Sequence, residues 1–299
     1  MKTPRITVFT PAYNRADCLP NGYHALQRQT CKDFDWLIID DGSTDNTCEL
    51  VKGWQSEDND FDIRYIRKEN GGLHTAYNEA IANIDAELSV CVDSDDYMPD
   101  DAIERILDFW DKHGSDEVAG IVGLDYTPEG ERLGDKLPEQ KTVNLIDLLT
   151  NKYHIDNKDR KNVVRTELYK QVAPMRGFDG EKNFNPHCMH LEISKKYDFL
   201  VMNENLCFVD YQMDGMDHRM LWQYYNSPNS FAEIRLLYLS FDDLPLKFNI
   251  KHSIHYCSSC FLAKRKKFIR KSPHKVIAFL CVPFGFMLSK YILSKNKQE

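Results

Sequence analysis

The chain has 299 residues, of which 42% are hydrophobic and 28% charged, enough for one large core or one and a half ordinary ones. Its nine cysteines are scattered and odd in number, which disfavours a disulfide scaffold and favours a reducing cytoplasm. The chain carries 38 Lys/Arg and 46 Asp/Glu; residues 251–299 hold eleven Lys/Arg and one acidic residue, which leaves 27 and 45 for residues 1–250. An acidic body with a basic tail disfavours a nucleic-acid partner and favours an anionic membrane surface.

Short β-branched runs alternate with segments of helical periodicity up to about Thr127. We expect strands at Ile6–Phe9, Trp36–Ile39, Ile63–Ile66, Leu88–Val92 and Val118–Leu124, and helices at Asp17–Gln29, Thr44–Gln55, His74–Ile84 and Asp100–Lys112, with Ser43 or Thr44, and Asp100, as caps. This alternation predicts an α/β fold with a Rossmann-like, mainly parallel sheet flanked by helices. We divide the chain into a ligand-binding half (1–125), a second half of the same domain (126–250) and a helical basic extension (251–299).

Two polar clusters follow the first two predicted strands. Thr10–Arg15 places Pro11, which stiffens the backbone, before Tyr13, whose flat ring can stack on a nucleobase. Asp40–Asp45 follows the second strand, where a carboxylate can accept a proton from a base or a ribose. Each cluster alone is also compatible with an ordinary turn and helix cap. Because the carboxyl ends of parallel strands meet at one edge of a sheet, we expect these clusters to converge.

A third cluster, Glu69–His74, is a glycine-rich turn that opens a helix carrying Asn78. At such a turn Gly72 lets backbone amides approach a diphosphate, and His74 can add a hydrogen-bond donor. A Gly-Gly pair before a helix is a weak signal by itself. Its weight comes from its place after the third predicted strand, at the edge where the other clusters lie.

The fourth cluster, Asp93–Asp96, brings three carboxylates into four residues at the end of a buried strand. These carboxylates repel one another unless a cation lies among them, and the hard ions Mg²⁺ and Mn²⁺ prefer oxygen ligands. We therefore predict Asp93 and Asp95 as metal ligands, with Ser94 in contact with a bound nucleotide. The alternative is an acidic helix N-terminus favoured by the helix dipole, a role that suits Asp96.

Four segments occur in the order and at the spacing of glycosyltransferase family 2: TPAYNR (10–15), IIDDGSTDNT (38–47), ENGGLHTAYNEAI (69–81) and DSDD (93–96). The sequence resembles this family closely over residues 4–125 and loosely over residues 126–230. The family consists of inverting enzymes with the GT-A fold. The resemblance therefore implies that fold and the transfer of a sugar from a nucleoside diphosphate sugar, with UDP-sugars as the commonest donors.

The resemblance also implies roles for single residues. Tyr13 matches the residue that stacks on the nucleobase, with Pro11 and Asn14 in the same loop. Asp41 matches the carboxylate that binds the base. Asp93 matches a ribose or metal contact, and Asp95 matches the last carboxylate of the family's DxD motif, which holds Mn²⁺ or Mg²⁺ on the donor diphosphate.

Inversion at an anomeric carbon needs a base that takes the acceptor's hydroxyl proton. Similar members carry a GEKF-x-P-E stretch with a glutamate base, whereas the corresponding run here, Gly180–His187, ends in histidine. Because imidazole is a competent base at neutral pH, we predict His187 as the catalytic base. The alternatives are Glu181, Glu192 or Asp179 as the base, with His187 as a packing residue.

Tyr211–Met216 resembles a further stretch of the family, Y-x-x-D-G-L-S, and Asn226–Pro228 resembles the turn that follows it. His218 lies between the two. We expect it to be structural, because imidazole is a less natural ligand for a hard ion.

The basic tail contains Lys264–Lys267, followed by an apolar run from Val276 to Leu288 that Pro283 and Gly285 interrupt. This run is shorter than the ~20 residues that a helix needs to cross a bilayer. We therefore expect it to lie in the membrane interface with its cations against anionic headgroups. An ordinary buried C-terminal helix is the alternative.

These observations together predict an inverting, metal-dependent glycosyltransferase in the cytoplasm, peripheral to the inner face of the cell membrane. It would move a sugar from a nucleoside diphosphate carrier, UDP in the first place, to a glycan or lipid-linked acceptor in cell-surface polysaccharide synthesis. A catalytically inactive nucleotide-sugar-binding or scaffolding protein is the main alternative, because of His187. A nucleotidyltransferase shares the sheet and the carboxylates, but Thr10–Arg15 is not the glycine-rich basic loop of that class.

Overall fold

The first part of the chain alternates strands and helices, as its apolar pattern predicts. A computed structural model of the protein describes residues 3–210 and 220–296. The elements up to Tyr126 are β1 (Ile6–Ala12), α1 (Leu19–Gln27), β2 (Phe34–Asp40), α2 (Thr47–Gln55), β3 (Asp62–Arg67), α3 (Leu73–Ala82), β4 (Leu88–Cys91), α4 (Ala102–His113) and β5 (Val118–Tyr126). All the predicted strands and helices of this part are therefore confirmed, with small shifts at their ends.

The elements after Tyr126 are less regular. They are β6 (Thr142–Val143), α5 (Leu145–Leu149), β7 (Arg160–Arg165), α6 (Thr166–Val172), α7 (His187–Ser194), β8 (Asp198–Phe208), α8 (Met220–Asn226), α9 (Pro228–Leu239), α10 (Leu246–Leu262), a 3₁₀ turn (Phe268–Lys271) and α11 (Lys275–Lys295). The described residues form two compact units: a sheet unit (3–71, 75–174 and 196–210) and a helical unit (72–74, 175–195 and 220–296). The predicted division at residues 125 and 250 concerns function and stays a prediction.

Within the described residues the sheet unit holds eight strands in the order β3-β2-β1-β4-β7-β5-β8-β6. The pairs β3-β2, β2-β1, β1-β4 and β5-β8 are parallel. β7 lies antiparallel between β4 and β5, and β6 is antiparallel to β8. This mainly parallel sheet flanked by helices confirms the predicted fold class. It also places the carboxyl end of β1 between those of β2 and β4.

An aromatic stack fixes α1 and α2 on one face of the sheet. Tyr23 of α1 contacts both Trp36 of β2 and Trp54 of α2, with ring centroids 6.3 Å and 4.4 Å away, and all three rings are buried. Each square ångström of apolar surface removed from water contributes about 25 cal/mol, so large rings dominate this part of the core. The loops at the carboxyl ends of β1 and β2 are thereby held on a rigid support.

The predicted caps of α2 and α4 are wrong, since the N-cap residues are Asn46 and Asp101. The Ser43 hydroxyl oxygen instead accepts a hydrogen bond from the backbone N–H of Asn14 at 2.9 Å. Asp100 forms an ion pair with Arg28 at 3.0 Å. The Ser43 and Asp100 side chains therefore connect neighbouring segments of the sheet unit. They do not bind the helix ends to which we assigned them.

The helical unit is built around α10. Its core contains Ala232 of α9 with Tyr256 and Cys260 of α10, all fully buried. α11 packs on α10 through Gly285, where an added Cβ would lie only 2.4 Å from the Cβ of Cys257. Close approach of the two helices therefore requires glycine at this position.

The predicted interruption of the tail at Pro283 and Gly285 is wrong. α11 continues through both residues for 21 residues, because packing on α10 outweighs the lost backbone hydrogen bond at proline. Among the described residues, α11 is a helix long and apolar enough to cross a membrane by length and composition, with 28% of its apolar window buried. This is weak support for a span, since a core helix of a soluble protein can meet the same criteria.

Candidate active site

The loop after β1 is held between the loops after β2 and β4. The Oδ1 of Asn14 accepts a hydrogen bond from the backbone N–H of Thr44 at 2.7 Å. Arg15 donates from Nε to the hydroxyl of Ser94 at 3.1 Å. The predicted convergence of these three loops at one edge of the sheet is therefore confirmed.

Tyr13 and Asn14 form the exposed part of this edge. Tyr13 is 48% exposed, and among the described residues of the sheet unit it is the one large hydrophobic side chain that is exposed. Asn14 has a φ of 53°, in the left-handed region that asparagine tolerates better than most residues. The prediction that Pro11 lies in this loop is wrong. Pro11 is buried within β1, opposite Ile39 of β2.

The two adjacent carboxylates at the end of β2 have different surroundings. Asp40 is fully buried and accepts a hydrogen bond from the N–H of Ser43 at 2.7 Å, which fixes the turn. Asp41 accepts from Lys68 Nζ at 2.7 Å and from the N–H of Gly71 at 2.9 Å. Asp41 therefore joins the turn after β2 to the glycine-rich turn, and its predicted contact with the base stays a prediction.

The carboxylates after β4 differ in exposure. Asp93 is exposed, whereas Asp95 is half-buried, and burial followed by the charge of Asp93 raises the pKa of Asp95. This is the repulsion that the sequence predicts. Within the described part of the chain, no group of three or more His, Cys, Asp or Glu side chains is arranged to hold a metal ion. Two carboxylates nevertheless fit Mg²⁺ or Mn²⁺ where diphosphate oxygens and water complete the shell.

Asp96 does not lie at a helix N-terminus, because α4 begins only at Ala102. Its carboxylate is buried 3.6 Å from the buried ammonium group of Lys161. Burial raises the pKa of Asp96, and Lys161 opposes this shift. Asp96 therefore forms part of a buried charge pair inside the sheet unit.

Lys161 and Asp125 belong to the same buried charged cluster, and sequence analysis missed both. Burial raises the pKa of Asp125 to about 6, again against the charge of Lys161. Asp125 follows the apolar run of β5, so its position at a strand end was an available signal. Lys161 lies in the polar run Arg160–Arg165, which does not show the pattern of a central strand.

Gly72 and His74 belong to the helical unit and meet packing constraints there. Gly72 has a φ of 94°, and an added Cβ would lie 2.0 Å from the carbonyl oxygen of Lys182. His74 is buried beside Phe184, with ring centroids 6.4 Å apart. Asn78 lies half-buried on α3, in the sheet unit. The predicted contacts of these three residues with a diphosphate stay predictions.

His187 is the first residue of α7 and is half-buried. Its backbone N–H donates to the Oδ1 of Asn185 at 2.8 Å, and its ring lies 5.8 Å from that of His190 in an edge-on arrangement. Burial, followed by the charge of His187, lowers the pKa of His190 to about 3. His187 thus stands at the accessible end of a helix whose next turn is buried.

Glu181 has a structural position that removes it from the alternatives to His187. Its two oxygens accept hydrogen bonds from the backbone and side chain of Asn229 and of Ser230 at 2.7–2.8 Å. Both residues lie in the first turn of α9, whose N–H groups have no acceptor within the helix. A carboxylate is favoured at this end of the helix dipole. Tyr211–Met216 and His218 lie outside the described residues.

The sequence pattern of one protein family covers this site. The model of "Glycosyl transferase family 2" matches residues 7–182, more than half of the chain. The chain belongs to glycosyl transferase family 2. The match includes every predicted donor-binding and metal-binding residue, whereas His187 lies just beyond its end.

Curated relatives share part of the chain. Hyaluronan synthase of Pasteurella multocida is 25% identical over 231 residues, which cover 69% of this chain and 23% of the relative. The putative teichuronic acid biosynthesis glycosyltransferase TuaG of Bacillus subtilis is 30% identical over 106 residues, 36% of this chain and 42% of the relative. The chain thus spans about a quarter of the synthase and less than half of TuaG.

Solved structures share the fold over almost the whole chain. TarS 1-349 of S. aureus in complex with UDP-GlcNAc superposes with a TM-score of 0.65 at 16% identity, covering 98% of this chain and 92% of that one. Mannosyltransferase PcManGT of Pyrobaculum calidifontis, in complex with GDP-Man and Mn²⁺, gives a TM-score of 0.57 at 16% identity, covering 97% and 79%. These likenesses and the family match establish the GT-A fold.

Proposed function

We propose that the chain is an inverting glycosyltransferase that moves a sugar from a UDP-sugar to a glycan or lipid-linked acceptor in the synthesis of a cell-surface polysaccharide. The observation that carries this proposal is the convergence of the loops bearing Tyr13, Asp41 and Asp93–Asp95 at the carboxyl edge of β2, β1 and β4. Ligands of open α/β sheets bind at this edge. The relatives named for hyaluronan and teichuronic acid synthesis support the polysaccharide, and the UDP-GlcNAc complex supports the donor.

In this proposal the sheet unit binds the donor. The exposed ring of Tyr13 stacks on the uracil, and Asp41 and Ser94 bind the nucleoside. Asp93 and Asp95 would hold Mn²⁺ or Mg²⁺, which when bound neutralises charge that develops on the leaving diphosphate. The Mn²⁺ in the complex of PcManGT supports this cofactor. Asn78, on α3 of the same unit, contacts the diphosphate.

The transfer itself is a direct displacement. The acceptor hydroxyl oxygen forms a bond to the anomeric carbon while the bond from that carbon to the diphosphate oxygen breaks. His187 takes the hydroxyl proton, and the nucleoside diphosphate leaves with the electron pair of the broken bond. The configuration at the anomeric carbon is thereby inverted. We place the reaction on the cytoplasmic side of the membrane, where nucleotide sugars are made.

The test is a screen of the purified chain with Mn²⁺ against nucleotide sugars, with release of free nucleoside diphosphate as the signal. We expect release from one UDP-sugar, and its loss in Asp95→Ala. Binding of a nucleotide sugar without turnover, with any acceptor preparation, would favour the second candidate, an inactive nucleotide-sugar-binding protein. That candidate is favoured by histidine at position 187, where similar family members carry glutamate. No binding of any nucleotide sugar would contradict both.

A further inference from the structure

The outer face of α11 is apolar and exposed. Seven of its large side chains are between 46% and 74% exposed: Val276, Phe279, Leu280, Phe284, Phe286, Met287 and Tyr291. The inner face, in contrast, buries the smaller side chains Ala278, Cys281, Gly285 and Ser289, with Ile292. A helix with its large apolar residues outside and its small residues inside is reversed relative to a soluble core helix. Apolar patches of this kind mark an interaction surface.

Positive charge is concentrated at the start of α11. The segment that leads into α11 contains the exposed cations Lys264, Lys266, Lys267, Arg270, Lys271 and Lys275. A cavity of about 300 Å³ in the same unit is lined by Arg176, Lys266 and Lys271, while its carboxylate, Glu233, forms an ion pair with Arg265 at 2.7 Å. The cavity therefore has an excess of positive charge and room for a phosphate group.

An aromatic chain joins the cavity to the exposed face. Phe268 lines the cavity, and its ring centroid lies 5.4 Å from that of Phe261. Phe261 lies in turn 5.4 Å from Phe286 on the outer face of α11. Ring contacts thus connect the cationic cavity to the apolar face of α11. A bilayer has the same succession, with phosphate groups next to acyl chains.

We propose that this surface docks on an anionic lipid bilayer, with the outer face of α11 lying in the interface and the basic cavity binding a lipid phosphate. Two features favour this occupant over others. Residues 251–299 are strongly basic whereas residues 1–250 are acidic, so an anionic surface attracts this face and repels the rest of the chain. An apolar helix with cationic neighbours supplies the two signals that stable attachment needs.

α11 lies along the bilayer rather than across it. Its inner face packs on α10, where Cys257 donates to the carbonyl oxygen of Ala278. A spanning α11 would carry α10 with it, and α10 has the exposed charges of Lys247 and Lys251. Charges inside a bilayer are costly, so the packing of α11 on α10 favours the interfacial position over a span.

The test measures binding of the full chain to vesicles of phosphatidylcholine with and without phosphatidylglycerol. We expect binding to the mixed vesicles, weaker binding at 0.5 M salt, and a large loss in the triple variant Phe279→Gln, Phe284→Gln, Met287→Gln. Leucine at the same three positions is the matched control and should retain binding. Equal loss in both triple variants would contradict the apolar contact, and salt-independent binding would contradict the interfacial position.

A second pair of variants tests the cavity. Each cation near an anionic surface raises affinity about fivefold, so Lys266→Gln with Lys271→Gln should weaken binding to the mixed vesicles about 25-fold. Lys52→Gln with Lys112→Gln removes the same charge from exposed sites of the sheet unit and should have little effect. Equal effects of the two pairs would contradict the cavity as the headgroup site.

Two further measurements separate the outcomes. The binding of UDP, measured without vesicles, should not change in the α11 variants, so failure of the donor proposal and failure of membrane docking give different results. Sedimentation without vesicles tests the other occupant. A stable dimer that the glutamine variant dissociates, with no vesicle binding, would show that a second copy of the chain covers α11.

Discussion

The sheet unit and the helical unit differ in their buried charges and in the apolar side chains that they expose. The sheet unit buries Lys161 with Asp96 and Asp125, and the one large apolar side chain that its described residues expose is Tyr13. The helical unit buries His190 and exposes a long apolar helix face. The first arrangement suits the handling of charged ligands, and the second suits contact with an apolar surface. In our proposals the donor binds to the sheet unit and the membrane to the helical unit.

The largest expected effect is on the charged edge of the sheet unit. Asp95→Ala should weaken binding of UDP in the presence of Mn²⁺ about a thousandfold, because a bound cation contributes several kcal/mol to the binding of phosphate charge. Calorimetry with UDP, with and without Mn²⁺, measures the effect. The fold should remain intact, since Asp95 is half-buried beside a like charge.

Asp100→Ala is the matched control for Asp95. It removes the same charge from the surface of the sheet unit, where Asp100 pairs with the exposed Arg28. Surface pairs of this kind contribute little. Equal affinity of the two variants for UDP and Mn²⁺ would contradict the proposal that Asp93 and Asp95 hold the metal ion. It would also contradict donor binding at this edge of the sheet unit.

The next effect concerns the helical unit. His187→Ala should lower turnover about 10²–10⁴-fold and leave the affinity for UDP unchanged, because a general base acts on the acceptor. His187→Glu should retain appreciable turnover, as the family pattern has glutamate there. Initial rates of nucleoside diphosphate release measure both. An alanine variant within about threefold of the natural chain would transfer the role to Asp179 and make His187 a structural residue.

The two units also differ in how far the sequence predicts them. In the sheet unit the apolar runs of β1–β5 and the polar clusters after them are local signals, and the predicted elements and their convergence are confirmed. The insertion of β7 between β4 and β5 depends on pairing between distant residues, so no local pattern indicates it. Lys161 was missed for the same reason, because its burial follows from that pairing.

In the helical unit the local signals were misleading. Pro283 and Gly285 predict an interruption, but both lie within α11, because Gly285 allows contact with α10 and Pro283 is exposed. Glu181 resembles a candidate base in sequence, and only its contacts with the first turn of α9 show its structural role. Side-chain roles that depend on helix packing were therefore the least predictable part of the candidate site.

A third prediction tests the buried charge of the sheet unit. Lys161→Met should lower the free energy of unfolding by about 3–5 kcal/mol, because loss of the ammonium group leaves buried carboxylates without a counter-charge. Urea denaturation measures the loss. Lys112→Met, at an exposed site of α4, should change it little. Equal free energies of unfolding for the two variants would contradict the proposal that the buried ammonium group of Lys161 stabilises the sheet unit.

A smaller loss is expected at the start of α9. Glu181→Gln should lower the free energy of unfolding by about 2 kcal/mol, since the amide replaces a charged acceptor at two backbone N–H groups and two side chains. Glu192→Gln, at an exposed position of α7, is the control. Loss of turnover in Glu181→Gln without loss of stability would return Glu181 to the candidates for the base.

The smallest effect is a difference in pH dependence between the units. Burial lowers the pKa of His190 to about 3 and, with Arg235 as the next cause, that of His252 to about 3. The unfolded chain binds protons below its ordinary histidine pKa of about 6.5, and the folded helical unit does not. Its stability should therefore fall as the pH falls from about 6.5 towards 4. Asp125 acts in the opposite direction, because its pKa is raised to about 6 in the folded sheet unit. As the pH falls, the folded chain binds a proton at Asp125 before the unfolded chain does, and this stabilises the fold.

Two variants separate these contributions. His190→Gln should reduce the stability lost between pH 7 and pH 5 by about 1–2 kcal/mol, whereas Asp125→Asn should increase that loss. His113→Gln, at an exposed position of α4, is the control for histidine itself. Urea denaturation at the two pH values measures all three. If His190→Gln and His113→Gln gave the same pH dependence, burial of the imidazole would not be what makes the helical unit sensitive to acid, because both variants replace one histidine and differ in its burial.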